Sequence, residues 1–332
     1  MKTIAFFNNK GGVGKTSLVY HLAWMYADRG LRVLVADLDP QANLTAMFID
    51  DDRLIDLWEG KPGNTVVDSL KPLVERTGDI REPHVEMVGG QGIGLVPGNL
   101  ALSRFEDLLS QNWPECLSGV VAPFRVMSAF HRIVMMAAHR IQADIALIDV
   151  GPNLGAINRA ALIAADQVVL PLAPDLFSLQ GLRNLGPTLR SWRKDWKKRL
   201  GEFPAGEDLD VPEGNMLPLG YVVMQHGVRE SRPVKAYQRW LNRIPSVYRT
   251  AVLDESIDQR DVPAVDADPH RLALLRNYRS LMPLAMDAHK PMFFLKASDG
   301  AIGAHAAAVR ACYDDFLNLG KQISLKSGFA VN

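Results

Sequence analysis

Ten residues near the start of the chain, Asn8-Asn9-Lys10-Gly11-Gly12-Val13-Gly14-Lys15-Thr16-Ser17, restrict its fold more than any other feature. Gly11, Gly12 and Gly14 let the backbone curl so that successive N–H groups converge on one point. The apolar run Thr3-Ile4-Ala5-Phe6-Phe7 before them reads as a buried strand. After them, Ser17 to Asp28 places Leu18, Leu22 and Met25 on one helical face, and Gly30 supplies a stop. Strand, glycine-rich turn and helix together make a loop that cradles phosphates, with the helix N-terminus adding positive potential. Gly11, Gly12, Val13, Gly14, Lys15, Thr16 and Ser17 are therefore the candidate phosphate contacts. Lys15 is placed to bridge β- and γ-phosphates and the Thr16 hydroxyl to ligate Mg²⁺. Lys10 is one lysine more than this chemistry needs.

The chain has 332 residues, 48% hydrophobic and 22% charged, enough to bury a large core. Its formal net charge is zero, so any surface for nucleic acid must be local. Two cysteines, Cys116 and Cys312, make neither a metal site nor a disulfide framework, which suits a reducing cytoplasm. No apolar run approaches the roughly 18 residues of a membrane span. The first residues enter a strand directly, so neither a signal peptide nor an N-terminal DNA-reading domain is expected.

Further apolar runs read as strands: Arg32 to Asp37, Gly92 to Pro97, Ile145 to Val150, Gln167 to Leu172 and Leu217 to Met224. Helical spacing marks Val126 to Ile141, Asn158 to Ala165 and a closing helix within Gly300 to Ile323. Met282 to Leu295, broken by charges and two prolines, reads as loop and strand edge. Apolar rather than alternating strands, separated by helices, predict an α/β fold: a mainly parallel twisted sheet covered by helices on both faces. One domain over 1–332 is expected, enlarged near 50–90 and 110–140.

Three motifs, K-G-G-V-G-K-T at 10–16, D-L-D-P-Q-A-N at 37–43 and I-A-L-I-D-V-G-P at 145–152, resemble those of the ParA/MinD family of deviant Walker A P-loop ATPases. The resemblance extends weakly through L-G-Y-V-V-M-Q at 219–225 and so covers most of the chain. It implies a slow ATP hydrolase, with ATP and Mg²⁺ as cofactors and a homodimer formed on ATP binding. Lys10 would be the signature lysine, reaching the partner's nucleotide as an arginine finger does. Asp37 would help hold the Mg²⁺ water shell, Asp39 would position the attacking water, and Asp149 would reach the metal through water. No glutamate follows Asp149, so the strong base of many ATPases is missing. Gly151-Pro152-Asn153-Leu154-Gly155 fits a switch loop sensing the γ-phosphate, with Asn153 where family members often carry a second proline. For the base, the family places an asparagine near Met224 or Gln225, and only Gln225 could both donate and accept.

The segment L-R-S-W-R-K-D-W-K-K-R-L at 189–200 gathers Arg190, Arg193, Lys194, Lys197 and Lys198 on a helix with Trp192 and Trp196 four apart. In ParA relatives, basic residues of this region bind DNA backbone without sequence preference, and a ParB-like or cargo adaptor protein stimulates hydrolysis. A solvated charged helix with two core-facing tryptophans has equal standing; Arg229, Arg232 and Lys235 are the other candidates. The rival expectation is a MinD-like membrane-cycling ATPase, which needs a C-terminal amphipathic helix; the tail I-S-L-K-S-G-F-A-V-N is too short and polar for that. An iron–sulfur subunit or a zinc-bearing targeting ATPase lacks its cysteines here. The expected setting is the cytoplasm, with nucleoid association in the ATP state and no stable membrane insertion.

Overall fold

The computed structural model describes residues 1–60, 63–90, 92–224, 234–278 and 280–330. Among these residues eight strands form one sheet: β1 (Lys2–Phe6), β2 (Val33–Asp37), β3 (Glu86–Val88), β4 (Ile93–Val96), β5 (Ile145–Asp149), β6 (Gln167–Leu172), β7 (Leu217–Met224) and β8 (Arg271–Leu275). Their order is β3-β4-β2-β5-β1-β6-β7-β8, all parallel except for β3, which pairs antiparallel at one edge.

Residues of both parities along the strands are apolar because both sheet faces are covered. Ile4, Phe6, Val33, Val35, Ile145 and Leu147 enter one core. Ala5, Leu34, Ala36, Ala146 and Ile148 enter the other. The helices are α1 (Lys15–Asp28), α2 (Asn43–Phe48), α3 (Asp51–Glu59), α4 (Val66–Val74), α5 (Phe105–Glu115), α6 (Val121–Met127) and α7 (Ala129–Ile141). They continue with α8 (Ala156–Ile163), α9 (Leu176–Leu200), α10 (Val234–Leu241), α11 (Ile244–Val247), α12 (Met282–Asp287) and α13 (Ala304–Ser327). Residues of α1 and α13 pack in the first core, and those of α5 to α9 in the second. Full burial of the strands on both sides is what forbids polar alternation in them.

The mainly parallel sheet with helices on both faces is as the sequence predicts. Two edge strands, β3 and β8, were not expected: they are short or half exposed, so their apolar signal is weak. The Val126–Ile141 helix is interrupted, since Ser128 ends α6 and its buried hydroxyl accepts from Arg132 Nε at 3.1 Å. Met282–Leu295 is not a strand edge. Proline in the first turn of α12 is preset for a helix start, and Met292 and Phe293 are buried beyond it in a 3₁₀ turn.

Candidate functional site

β1 delivers the chain to the carboxyl edge of the sheet, where the glycine loop turns back into α1. Gly12 and Gly14 have φ of +71° and +82°, a region that penalises any side chain. At Gly14 a Cβ would also stand 2.9 Å from Met224 Cε. Asn8 pins the start of the loop: its Nδ2 donates to Pro171 O at 2.6 Å, and its Oδ1 accepts from Lys10 N at 2.9 Å. Gly14 caps α1 without a side-chain hydrogen bond, so the first-turn amides are free to meet an anion. Lys15, Thr16 and Ser17 open that helix. Lys15 is 7% exposed and rests on Lys10 O at 3.4 Å. Burial lowers its pKa, while Asp149 and Asp39 work in the opposite direction.

The acids come from neighbouring strand ends. Asp37 of β2 and Asp149 of β5 are register partners, and Phe6 of β1 flanks Asp149 on the other side. Both aspartates are fully buried. Asp149 has no hydrogen-bond partner on either carboxylate oxygen among the described residues. Burial pushes its pKa well up and the Asp37 charge adds to this; the nearby Thr16 hydroxyl offsets only part. A buried, unpartnered carboxylate beside a hydroxyl and the phosphate loop is the donor set a divalent cation takes up, and Mg²⁺ binds through carboxylates and retained waters. The residues therefore fit the metal, and Thr16 and Asp149 are those that would hold it.

Asp37 is also a structural residue. Its Oδ2 accepts from Thr45 N at 2.8 Å and Thr45 Oγ1 at 2.7 Å, and its Oδ1 accepts from Asp39 N at 3.3 Å. Thr45 Oγ1 in turn accepts from Gly98 N at 2.8 Å, which ties the end of β4 into the network. Burial, only partly offset by the Thr45 bonds, raises Asp37 to about 6. Asp37 thus holds the segment that carries Asp39. Asp39 lines a cavity of about 1030 Å³ together with Gly11, Gly12, Lys15, Thr16 and Pro152. Its Oδ1 accepts from Gln41 N at 3.0 Å, which steadies the carboxylate at the cavity wall.

Lys10 does not line that cavity among the described residues. Its ammonium is ion-paired with Asp175, the N-cap of α9, and stands 5.7 Å from the centroid of the Phe177 ring. Burial raises the Asp175 pKa, but the Lys10 and Ser178 bonds outweigh it and the carboxyl stays below its usual range. Phe177 is 73% exposed and Leu176 beside it 44%, so Lys10 sits at the margin of an apolar outer face rather than over its own phosphate loop. In the 151–155 loop, Asn158 Nδ2 donates to Gly151 O at 2.8 Å and Asn153 O at 2.7 Å, closing the turn from within.

A second cavity of about 290 Å³ adjoins the loop between Met224, Leu275, Tyr278 and Phe316. Gln225, the expected base contact, lies outside the described residues. Sequence reasoning missed Thr45, Asn158 and Asp175. Thr45 also meets Gly98 and Asp175 meets Lys10, both far along the chain, whereas Asn158 in the first turn of α8 and Asp175 before α9 carry the local signal of caps.

On α9 the two tryptophans are core: Trp196 is fully buried and donates Nε1–H to Pro212 O at 2.8 Å, and Trp192 is 9% exposed. Two of the five predicted cations are held by the protein itself. Arg193 Nη2 donates to Met216 O at 2.7 Å; Arg190 bonds to Ala251 O and Val252 O and pairs with Asp254 at 2.9 Å. Lys194, Lys197 and Lys198 are exposed on the same helix. Arg229 and Arg232 lie outside the described residues, as does the side chain of Lys235. At the C-terminal end, Phe329 packs edge-on against Tyr26 at 5.6 Å between centroids, and Ser324 Oγ bonds to Phe329 O. No helix among the described residues is long and apolar enough to cross a membrane.

A family model described as AAA domain matches residues 1–201. The IncC protein of Escherichia coli is 30% identical over 64% of this chain and 52% of its own length. The ParA family protein of Chlamydia trachomatis serovar D is 32% identical over 56% of this chain and 64% of its own. The chain thus spans about half to two thirds of these relatives. The crystal structure of DIP2308 from Corynebacterium diphtheriae superposes with a TM-score of 0.69 at 23% identity, over 98% of this chain and 99% of that one, a likeness of fold. With the phosphate loop, the strand-end acids and the sheet order in place, the chain belongs to the ParA/MinD family of P-loop ATPases.

Proposed function

We propose that this chain is a ParA-like positioning ATPase, switched by Mg²⁺ and ATP between a monomer and a sandwich dimer. The observation that carries this reading is the Asp149 carboxylate, buried and unpartnered between the phosphate loop and Asp37. Such a group is tolerated where a cation–phosphate ligand completes it. Lys15 and the loop amides would take the phosphates, Thr16 and Asp149 the metal, and Asp39 would orient the attacking water. Lys10, on the outer margin beside exposed Leu176 and Phe177, would leave Asp175 and meet the partner subunit's nucleotide. With Asp39 serving the water and no glutamate after Asp149, basal hydrolysis would be slow, well below the ~10 s⁻¹ of a typical enzyme. A ParB-like or cargo adaptor would accelerate it.

In the dimer Lys194, Lys197 and Lys198 would contact DNA phosphates without reading bases. The docked Phe329 favours this over a membrane-cycling role: it packs on Tyr26, and among the described residues Leu325 is the single large apolar side chain exposed in the last turns of α13, too little for an amphipathic membrane face. Gel filtration with DNA under ATP, ADP or no nucleotide tests the reading. Co-elution only with ATP, together with a doubled apparent mass, is expected; nucleotide-independent DNA binding would refute the switch.

A further inference from the structure

α8 begins immediately after the 151–155 loop, and its N-cap, Gly155, has no side chain with which to satisfy the first amides. A different helix supplies the cap. Ala156 N donates to Glu106 Oε1 at 2.5 Å and Ile157 N to Glu106 Oε2 at 2.8 Å. Glu106 stands in the first turn of α5, about fifty residues upstream, so this bond exists only in the tertiary fold. Its carboxylate also attracts Arg159, one turn further along α8. A negative charge bidentate on the positive end of a helix is a strong restraint.

That restraint bears on the chemistry through one short segment. Asn158 ties Gly151 O and Asn153 O to the same helix turn. Gly151 lies so close to Asp39 that a Cβ on it would meet Asp39 Oδ1 at 3.1 Å, and Pro152 lines the nucleotide cavity. Moving the start of α8 therefore moves the wall against which Asp39 is set.

We propose that Glu106 is a positioning residue for hydrolysis: by capping α8 it fixes the exit of the 151–155 loop and, through Gly151, the placement of Asp39. The proposal rests on the ATPase reading above. Two independent variants disrupt the cap. Glu106→Ala deletes the carboxylate. Gly155→Ala leaves it in place but puts a Cβ 2.7 Å from Glu106 Oε1, at a φ of −77° that alanine adopts without strain; the same Cβ stands 2.9 Å from Asn153 Oδ1, so Glu106→Ala is the variant that isolates the carboxylate.

Turnover at saturating Mg²⁺·ATP, affinity for a fluorescent non-hydrolysable ATP analogue, and exchange of the Ala156 and Ile157 amides would be measured for each. Expected are a fall in kcat of about fivefold or more in both, affinity within about twofold of wild type, and faster exchange at those two amides. The double variant should be no worse than the worse single one, because both break the same cap. Glu106→Gln, which keeps one acceptor oxygen, should recover part of the turnover. Wild-type kcat in both single variants, or additive losses in the double, would overturn the role of Glu106 alone. A wild-type protein that turns over no ATP would overturn the ATPase reading first.

Discussion

Replacing Asp37 by asparagine isolates the electrostatic cost built into the site. Asp37 is fully buried and raised from 3.8 to about 6, chiefly by burial. A carboxyl whose folded pKa exceeds its unfolded value favours the fold fully below about pH 4 and loses that contribution as pH rises through about 6. A shift of about 2 pH units at about 1.4 kcal/mol each amounts to roughly 3 kcal/mol lost by pH 8. In Asp37→Asn the side-chain oxygen can still accept both Thr45 donors. The new amide group, however, faces Asp39 N across the present 3.3 Å contact, which costs about 1 kcal/mol. The nucleotide-free variant should then be more stable than wild type by about 2 kcal/mol at pH 8 and less stable by about 1 kcal/mol near pH 4. Removing the charge also relieves Asp149, which Asp37 pushes up, so the pH 8 figure is a lower bound. Urea unfolding of both proteins across pH 4 to 8 reads this directly. A stability difference independent of pH, or a variant less stable at pH 8, would refute the argument. Saturating Mg²⁺·ATP should shrink the variant's advantage, since the ligand supplies the wild-type carboxylates with a counter-charge.

Lys10→Ala should abolish hydrolysis and weaken ATP-driven dimerisation, and unchanged steady-state turnover would remove its role in trans. Lys194→Glu with Lys197→Glu and Lys198→Glu should weaken ATP-dependent DNA retention and flatten the dependence of log K on log salt by roughly 0.9 for each phosphate no longer neutralised; retention as in wild type would move the DNA surface elsewhere. Gly14→Ala combines a φ of +82° with a Cβ 2.9 Å from Met224 Cε, so nucleotide affinity should fall at least tenfold while the fold is weakened by only about 1–2 kcal/mol. Wild-type affinity by fluorescence titration would show that the loop bends differently from the geometry above.

The strands and the phosphate loop were legible because each is written in consecutive residues. β6 and β7 fall where their apolar runs end, and Gly12 and Gly14 adopt the positive φ that their lack of a side chain advertises. The α9 tryptophans were legible as a stripe, but the arginines beside them were not: Arg190 and Arg193 share the sequence spacing of Lys194 and Lys197, yet bend onto carbonyls of Ala251 and Met216. Periodicity places a side chain on a helix face; only the neighbouring loop decides whether that face is wet. Met282–Leu295 misled for a related reason, since a proline reads as a breaker unless it falls in a first helical turn.

By itself the sequence determined a parallel sheet buried on both faces, a phosphate loop at the end of its first strand, and acids at the ends of two others. Those features depend on residues adjacent in the chain, or on the period of a single element. The tertiary structure decided what each polar group is partnered with. Asp37 is held by Thr45, Lys10 by Asp175, and the start of α8 by Glu106, while Asp149 is left without a partner on either oxygen among the described residues. Those pairings need segments from 8 to 165 residues apart to meet at one sheet edge. The packing of two cores against the sheet brings them together, and no local pattern encodes it.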